Sequence, residues 1–161
     1  MKLSSTSWLL CAATLVCLPI TALTQSKAAA AIQKTVRTVN LTGSDAMKYN
    51  VTTIEAHPGE SLRIVFKNVG SMPRIAMAHN VVVLRPGTDG AAFTTEGIAA
   101  READFIAPSA KAAVLAATAL AGAGETVEVV FRVPAKPATY PFVCTFPGHY
   151  AVGMHGTIVA K

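Results

Sequence analysis

Short stretches rich in Val, Ile, Thr and Phe recur from residue 35 to residue 161, and turn residues separate most of them. Two of these stretches alternate apolar with mostly polar residues, which is typical of strands that have one face in a core. Eight short strands at this spacing predict an all-β domain, either a sandwich or a barrel. The predicted strands are Thr35–Leu41, Lys48–Glu55, Ser61–Lys67, Asn80–Leu84, Ala113–Thr118, Thr126–Val133, Thr139–Cys144 and Gly156–Ala160.

One segment breaks this β pattern. Residues 90–111 are rich in alanine and carry charges of both signs, a composition that favours a helix. Pro108 is expected to end that helix, because proline cannot continue an intrahelical hydrogen-bond ladder. We therefore expect one helical insertion over about residues 90–111, which connects the two sheets and covers an edge of the sandwich.

The first residues have the features of a secretory signal peptide. Lys2 is followed by the apolar run Trp8–Leu23 and then by small residues. The apolar run is short for a membrane span, so an uncleaved anchor is the weaker interpretation. The sequence predicts a signal peptide over residues 1–28, a mature domain over residues 35–161, and export to the periplasm or out of the cell.

Composition and charge exclude some classes of function. The chain has 161 residues, of which 52% are hydrophobic and 14% charged, so it is neither disordered nor long enough for several domains. Its formal net charge of +5 is scattered along the sequence, which argues against a nucleic-acid partner. We expect contact with a membrane only through partner proteins, unless the signal peptide stays uncleaved.

The cysteines narrow the chemistry further. Two of the three, Cys11 and Cys17, lie within the predicted signal peptide, so the mature domain keeps Cys144 alone. One thiol cannot form an internal disulfide. Cys144 is therefore a packed core group, one half of an intermolecular bridge, or a reactive or metal-bound thiolate.

Cys144 begins a C-x4-H-x4-M pattern that continues with His149 and Met154. The pattern runs from the end of one predicted strand, across a Pro-Gly turn, to the start of the last strand. A thiolate, an imidazole and a thioether together favour copper, and two His, one Cys and a weak axial Met form a blue-copper electron-transfer site. Zinc is the competing metal, but zinc has little use for a thioether.

Such a site needs a second histidine. His57 lies in a Pro-Gly turn, and His155 directly follows Met154, so its side chain should point away from the site. His79 is the best placed, because it stands at the head of an apolar strand that the core would hold rigidly. The predicted metal ligands are His79, Cys144, His149 and Met154.

The segment Met77-Ala78-His79-Asn80 and the segment Cys144–Met154 resemble the two copper-binding motifs of the azurins and auracyanins, which are cupredoxins. The resemblance covers about residues 50–161. It implies a Greek-key β-sandwich that holds one type 1 copper and carries single electrons, not an enzyme. It further implies equatorial binding by His79, Cys144 and His149, axial binding by Met154, and a link between the two ligand loops through Asn80 and Thr145.

The sequence departs from the azurin pattern in three respects. Azurins have a glycine before the first ligand histidine, whose carbonyl approaches copper, whereas this chain has Ala78. The spacing between His149 and Met154 is one residue longer than in azurins and fits auracyanins better. Azurins also carry a disulfide for which this mature domain lacks the cysteines. The resemblance thus implies an azurin-like protein of the auracyanin type, with the Ala78 carbonyl as a candidate weak axial ligand.

Partner proteins are expected to dock where His149 comes near the surface. His149 lies between a Pro-Gly turn and Tyr150, so its ring edge should emerge through an apolar patch. Exposed apolar patches mark interaction surfaces, and redox encounters are small and weak. We expect a redox donor and a redox acceptor to bind at a patch formed by Met72, Pro73, Phe146, Pro147, Tyr150 and Val152.

Three other functions are compatible with parts of the sequence. A copper chaperone or storage protein would use exposed Met or His clusters, but the methionines beyond the signal peptide form no dense cluster. A copper enzyme would need a second copper site with more histidines, and usually a second domain. A purely structural secreted sandwich would take up no copper.

Overall fold

The computed structural model describes residues 36–161, so the predicted signal peptide, Cys11 and Cys17 lie outside the described residues. Within that range the chain forms eight strands. They are β1 (Arg37–Gly43), β2 (Thr53–Ala56), β3 (Ser61–Asn68), β4 (Val82–Leu84), β5 (Val114–Ala117), β6 (Thr126–Arg132), β7 (Ala138–Val143) and β8 (His155–Ala160).

The strands form two sheets, with the orders β1-β3-β6 and β2-β8-β7-β4-β5. The pairs β1–β3 and β2–β8 are parallel, and the other pairs are antiparallel. The predicted all-β sandwich is confirmed, and every predicted strand has a counterpart in the structure. Because β4 and β7 are neighbours in one sheet, the segment before β4 and the loop after β7 lie at the same end of the sandwich.

The core lies between the two sheets. Leu62, Ile64 and Phe66 alternate along β3 and have no solvent exposure, as the sequence pattern predicts. From the opposite sheet, Phe142 and Ile158 join the same buried cluster. Burial of apolar surface contributes about 25 cal/mol per Å² to folding. Because protein interiors are close-packed, this core is also a rigid support for the loops at its end.

The helical insertion is shorter and more broken than predicted. Helix α1 covers Gly90–Gly97 and is followed by 3-10 helices at Arg101–Ala103 and Pro108–Ala113. The Asp89 side chain caps α1 by accepting from the backbone N–H groups of its first turn. Pro108 begins a helix instead of ending one, because proline fits the first turn, where no intrahelical donor is needed. No helix in residues 36–161 has the length and apolar character needed to cross a membrane.

Local geometry explains why α1 stops at Gly97. The backbone carbonyl of Phe105 approaches Gly97 so closely that an added Cβ would lie 2.0 Å from that oxygen. The chain reverses there through left-handed conformations at Asp104 (φ 51°) and Phe105 (φ 59°). The Phe105 N–H then donates to the carbonyl of Ala100. A continuous helix over residues 90–111 is incompatible with this turn.

The position expected for the insertion is also wrong. It joins β4 and β5, which are neighbours in the same sheet, so it does not connect the two sheets. Phe93 of α1 packs on Val82 and Val143, which face outward from that sheet, so the insertion covers a face and not an edge. The reason is that β4 is apolar on both sides, and its outward residues also need a cover.

Candidate metal centre

Three buried donor side chains meet at one end of the sandwich. His79 lies three residues before β4, Cys144 directly follows β7, and His149 lies in the loop between β7 and β8. The Nδ1 atoms of His79 and His149 are 3.1 Å apart, and Cys144 Sγ lies 4.0 Å and 3.4 Å from them, respectively. The His79 and Cys144 residues have no exposed surface, and His149 is 3% exposed.

These separations fit a single metal ion. Nitrogen and sulfur donors that bind one first-row metal at about 2.0–2.3 Å with trigonal angles lie about 3.5–4.0 Å from one another. The three donor atoms of His79, Cys144 and His149 all lie within 4.8 Å of one another, close to that arrangement. Two imidazoles and a thiolate suit copper, as the sequence predicts.

Paired backbone hydrogen bonds fix the position of His79. Its N–H donates to the carbonyl of Ala121 at 3.0 Å, and the Ala121 N–H donates back at 2.7 Å. Two residues further on, the Val81 N–H donates to the Thr118 hydroxyl. The edge of the Phe66 ring packs on the imidazole, with ring centroids 6.4 Å apart. Contacts from the β5–β6 connection and from β3 therefore hold His79 in place.

Burial disfavours the charged forms of the three donors. It raises the pKa of the Cys144 thiol to about 12, although backbone N–H groups of Asn80 and Phe146 at the sulfur oppose this rise. Burial and then the charge of His79 lower the pKa of His149 to about 4. Burial also lowers the pKa of His79, and the charge of the Asp45 carboxylate opposes this shift. A metal that binds Cys144 as a thiolate must therefore displace its proton.

Met154 lies in the same buried cluster as Cys144. Its N–H donates to the His149 carbonyl at 2.9 Å, and its carbonyl accepts from the Cys144 N–H at 3.1 Å. The Met154 methyl group packs so closely on Gly43 that a Cβ there would lie 2.7 Å from it. These contacts fix the backbone and the methyl group of Met154 in the core next to Cys144, and its role as a metal ligand stays a prediction.

The loop from His149 to Met154 is closed by its own turn. The Gly153 N–H donates to the Tyr150 carbonyl at 2.8 Å, and Gly153 takes a left-handed conformation with φ 96°. From outside the loop, the Lys48 ammonium donates to the carbonyl of Val152. The longer spacing between His149 and Met154 is therefore accommodated as a defined turn.

The predicted link between the ligand loops is present as hydrogen bonds. The Asn80 side-chain amide donates to the Thr145 hydroxyl at 2.8 Å, and its carbonyl oxygen accepts the Thr145 N–H at 2.9 Å. The sequence did not reveal a further bond, from the Thr145 hydroxyl to the backbone carbonyl of Asp104 at 2.6 Å. No sequence pattern signals this contact, because it depends on the left-handed turn of the insertion.

The other predicted residues take different positions. His57 is exposed, with its ring near the carbonyl of Lys161, and exposed His155 stacks on Tyr150 with ring centroids 4.7 Å apart. Both histidines lie outside the cluster, as expected. Ala78 is buried and packs with Phe105 and Leu120, and the approach of its carbonyl to a metal stays a prediction.

Several residues of the predicted docking patch are partly exposed. Met72 and Val152 are 41% and 46% exposed, and the Phe146 ring lies 4.7 Å from the His149 ring between centroids. Ile75, which no sequence motif singles out, is 73% exposed and lines a groove together with Phe146. A groove of about 640 Å³ runs next to the centre and is lined partly by Ile75, Ile98, Phe146 and Pro147.

Comparisons with known proteins agree with this site. A family model described as copper binding proteins of the plastocyanin/azurin family matches residues 36–161. Auracyanin-B of Chloroflexus aurantiacus is 37% identical over 115 residues, which are 71% of this chain and 47% of that protein. Azurin of Alcaligenes faecalis is 35% identical over 123 residues, which are 74% of this chain and 94% of azurin.

A solved structure shares the fold as well. Auracyanin A, a blue copper protein of Chloroflexus aurantiacus, has a TM-score of 0.70 and 29% identity. The match covers 79% of this chain and all of that structure. Similarity in sequence and in structure therefore points to the same group of proteins.

Proposed function

We infer the function of this chain from its family: it belongs to the plastocyanin/azurin family of copper binding proteins. In this proposal it is a small exported electron carrier, in which His79, Cys144 and His149 bind one type 1 copper and Met154 is the weak axial ligand. The observation that carries the proposal is the convergence of two imidazole Nδ1 atoms and one thiol sulfur within a buried cluster.

A bound copper would supply one-electron redox chemistry, and the chain's residues would keep its surroundings constant. The paired bonds between His79 and Ala121 and those between Asn80 and Thr145 resist movement of the two ligand segments. Such preorganised donors favour electron transfer, because the ligands do not have to rearrange between oxidation states. Backbone N–H groups at the Cys144 sulfur withdraw electron density from the thiolate and raise the reduction potential.

Electrons would enter and leave through His149. His149 is 3% exposed whereas His79 and Cys144 have no exposed surface, and its ring contacts the Phe146 ring of the proposed patch. We propose that a redox donor and a redox acceptor dock there in turn, through small and weak contacts. The proposed docking patch consists of Met72, Pro73, Phe146, Pro147, Tyr150 and Val152, with Ile75 as an addition from the structure.

The burial of the donors argues against a copper chaperone or storage protein. Such a protein would present labile Met or His groups at its surface, whereas His79, Cys144 and Met154 have no exposed surface. An enzyme is disfavoured because the four proposed ligands would fill the positions on the metal and leave no place for a substrate. Zinc is the alternative metal for these donors, and a zinc site would have no redox activity.

Cyclic voltammetry of the copper-loaded protein separates these functions. An electron carrier gives a fast, reversible one-electron wave, with one copper per chain by mass spectrometry. A slow or irreversible wave, or copper that a weak chelator removes at once, would favour a chaperone or storage protein. Mass spectrometry of the protein recovered from its native cells tests export, because cleavage near Ala28 shortens the chain by the predicted signal peptide.

A further inference from the structure

Tyr49 is a buried tyrosine next to the metal centre that no sequence motif singles out. It lies between β1 and β2, forms an isolated bridge with Gly43, and is 5% exposed. Its ring packs edge-to-face with Phe66, with centroids 5.9 Å apart, and at a tilt against Phe142, with centroids 5.3 Å apart. Because Phe66 belongs to one sheet and Phe142 to the other, the position of the Tyr49 ring is fixed from both sides.

The Tyr49 hydroxyl is hydrogen-bonded to the main chain. It donates a buried hydrogen bond to the backbone carbonyl of Asn80. Burial raises the pKa of Tyr49 well above its ordinary value, so the hydroxyl keeps the proton that it donates. A phenylalanine would fill the same space, so the hydroxyl is required only for this bond.

The Asn80 carbonyl needs such a donor because it lies outside the regular pairing of β4 with β7, which begins at Val82. The ladder between β4 and β7 consists of Val83 with Phe142 and Val82 with Val143. Beyond that point the chains diverge around the metal centre, and the Asn80 side chain bonds to Thr145 in place of the ladder. The main-chain carbonyl of Asn80 is then left for Tyr49, since a buried carbonyl without a donor is costly.

We propose that Tyr49 is a positioning residue of the metal centre, which acts by holding the backbone of Asn80 in place through its carbonyl. Asn80 has two contacts with the centre. Its backbone N–H lies at the Cys144 sulfur, and its side chain accepts the N–H of Thr145, the residue after Cys144. The effect on redox behaviour rests on the proposed copper site, whereas the positioning of Asn80 does not.

The chain provides a matched control for the test. Tyr140 is 2% exposed, and its hydroxyl donates to the backbone carbonyl of Lys136 at 2.9 Å. The variants Tyr49→Phe and Tyr140→Phe therefore each lose one hydroxyl bound to a main-chain carbonyl and keep the ring. Only the first of these carbonyls belongs to a residue at the metal centre.

The first measurement is amide hydrogen exchange, followed by NMR on the metal-free protein. In Tyr49→Phe, the amides of Asn80 and Thr145 should exchange about tenfold faster than in the wild type, because one hydrogen bond that restrains local opening is lost. In Tyr140→Phe both amides should keep their wild-type rates. Equal rates in the two variants would overturn the proposal.

The second measurement is the reduction potential of the copper-loaded variants. It should fall in Tyr49→Phe but not in Tyr140→Phe, because the Cys144 sulfur loses a firmly held N–H donor. Faster exchange with an unchanged potential would overturn the role of Tyr49 in the metal centre. If the wild type binds no copper, the proposed function fails, and the metal-free exchange experiment still decides whether Tyr49 holds Asn80.

Discussion

Asn80 and Thr145 exchange two hydrogen bonds across the metal centre: the Asn80 amide donates to the Thr145 hydroxyl, and the Thr145 N–H donates to the Asn80 side chain. They join the segment that carries His79 to the loop that carries Cys144. Both residues are fully buried, so water cannot replace either bond. The link is therefore part of both the stability of the fold and the geometry of the site.

Replacing Asn80 by alanine should lower the free energy of unfolding of the metal-free protein by about 2–3 kcal/mol, because the Thr145 N–H is left buried without its acceptor. Urea unfolding measures this. Asn50→Ala is the control, since exposed Asn50 accepts only one N–H, from Thr42, and should lose less than about 1 kcal/mol. Equal losses in the two variants would contradict the structural role of the link.

The metal-free protein should become less stable as the pH falls from about 7 to 5. Burial lowers the pKa of His149 to about 4, from an ordinary value of 6.5, and lowers that of His79. The unfolded chain therefore binds more protons than the folded chain in this range, and stability is lost toward acid by up to about 1.4 kcal/mol per pH unit for each proton. Urea unfolding at a series of pH values tests this.

Two variants identify the groups that cause the pH dependence. His149→Gln should reduce the slope of unfolding free energy against pH, because it removes one titrating group. His57→Gln makes the same substitution at an exposed histidine outside the metal centre and is the matched comparison. A His149→Gln protein with the slope of the wild type would refute the assignment.

Gly97→Ala should destabilise the protein by about 1–3 kcal/mol, because the new Cβ would lie 2.0 Å from the Phe105 carbonyl oxygen and force the insertion apart. Thr95→Ala, at an exposed position in the same helix, is the control and should cost almost nothing. Thermal or urea unfolding measures both. If the two variants were equally stable, the close approach at Gly97 would not be a constraint on the fold.

The docking patch is tested by electron self-exchange between copper-loaded molecules. Val152→Glu should slow self-exchange by about tenfold or more, because two patches that meet would then bring like charges together. Val130→Glu places the same charge on the equally exposed outer face of β6 and should leave the rate nearly unchanged. An equal rate for Val152→Glu and the wild type would exclude this patch from the pathway.

Much of this architecture could be predicted from the sequence, because it depends on local patterns. The alternation of Leu62, Ile64 and Phe66 gave the buried face of β3, and turn residues separated the strands. Strand limits were less accurate, since the predicted strand Lys48–Glu55 is strand only from Thr53. The donor chemistry of Cys144 and His149 indicated a metal without any knowledge of distances. These features need only neighbouring residues in the chain.

The features that sequence reasoning missed depend on contacts between distant residues. The break of the helix at Gly97 follows from the Phe105 carbonyl, and the bond from Thr145 to Asp104 follows from the same turn. Tyr49 and Asn80 are 31 positions apart, and nothing in either local pattern brings a hydroxyl to that carbonyl. Alanine-rich composition gave the right helix start but could not locate its end.

Addition of one equivalent of Cu(II) to the metal-free protein, followed by visible absorption and EPR spectroscopy, tests the proposed metal centre most directly. The wild type should bind one copper per chain and give an intense thiolate-to-copper band with a narrow EPR hyperfine splitting. Cys144→Ser should lose the band because the thiolate is gone. A wild-type protein without the band, or a Cys144→Ser protein that keeps it, would contradict the proposed centre.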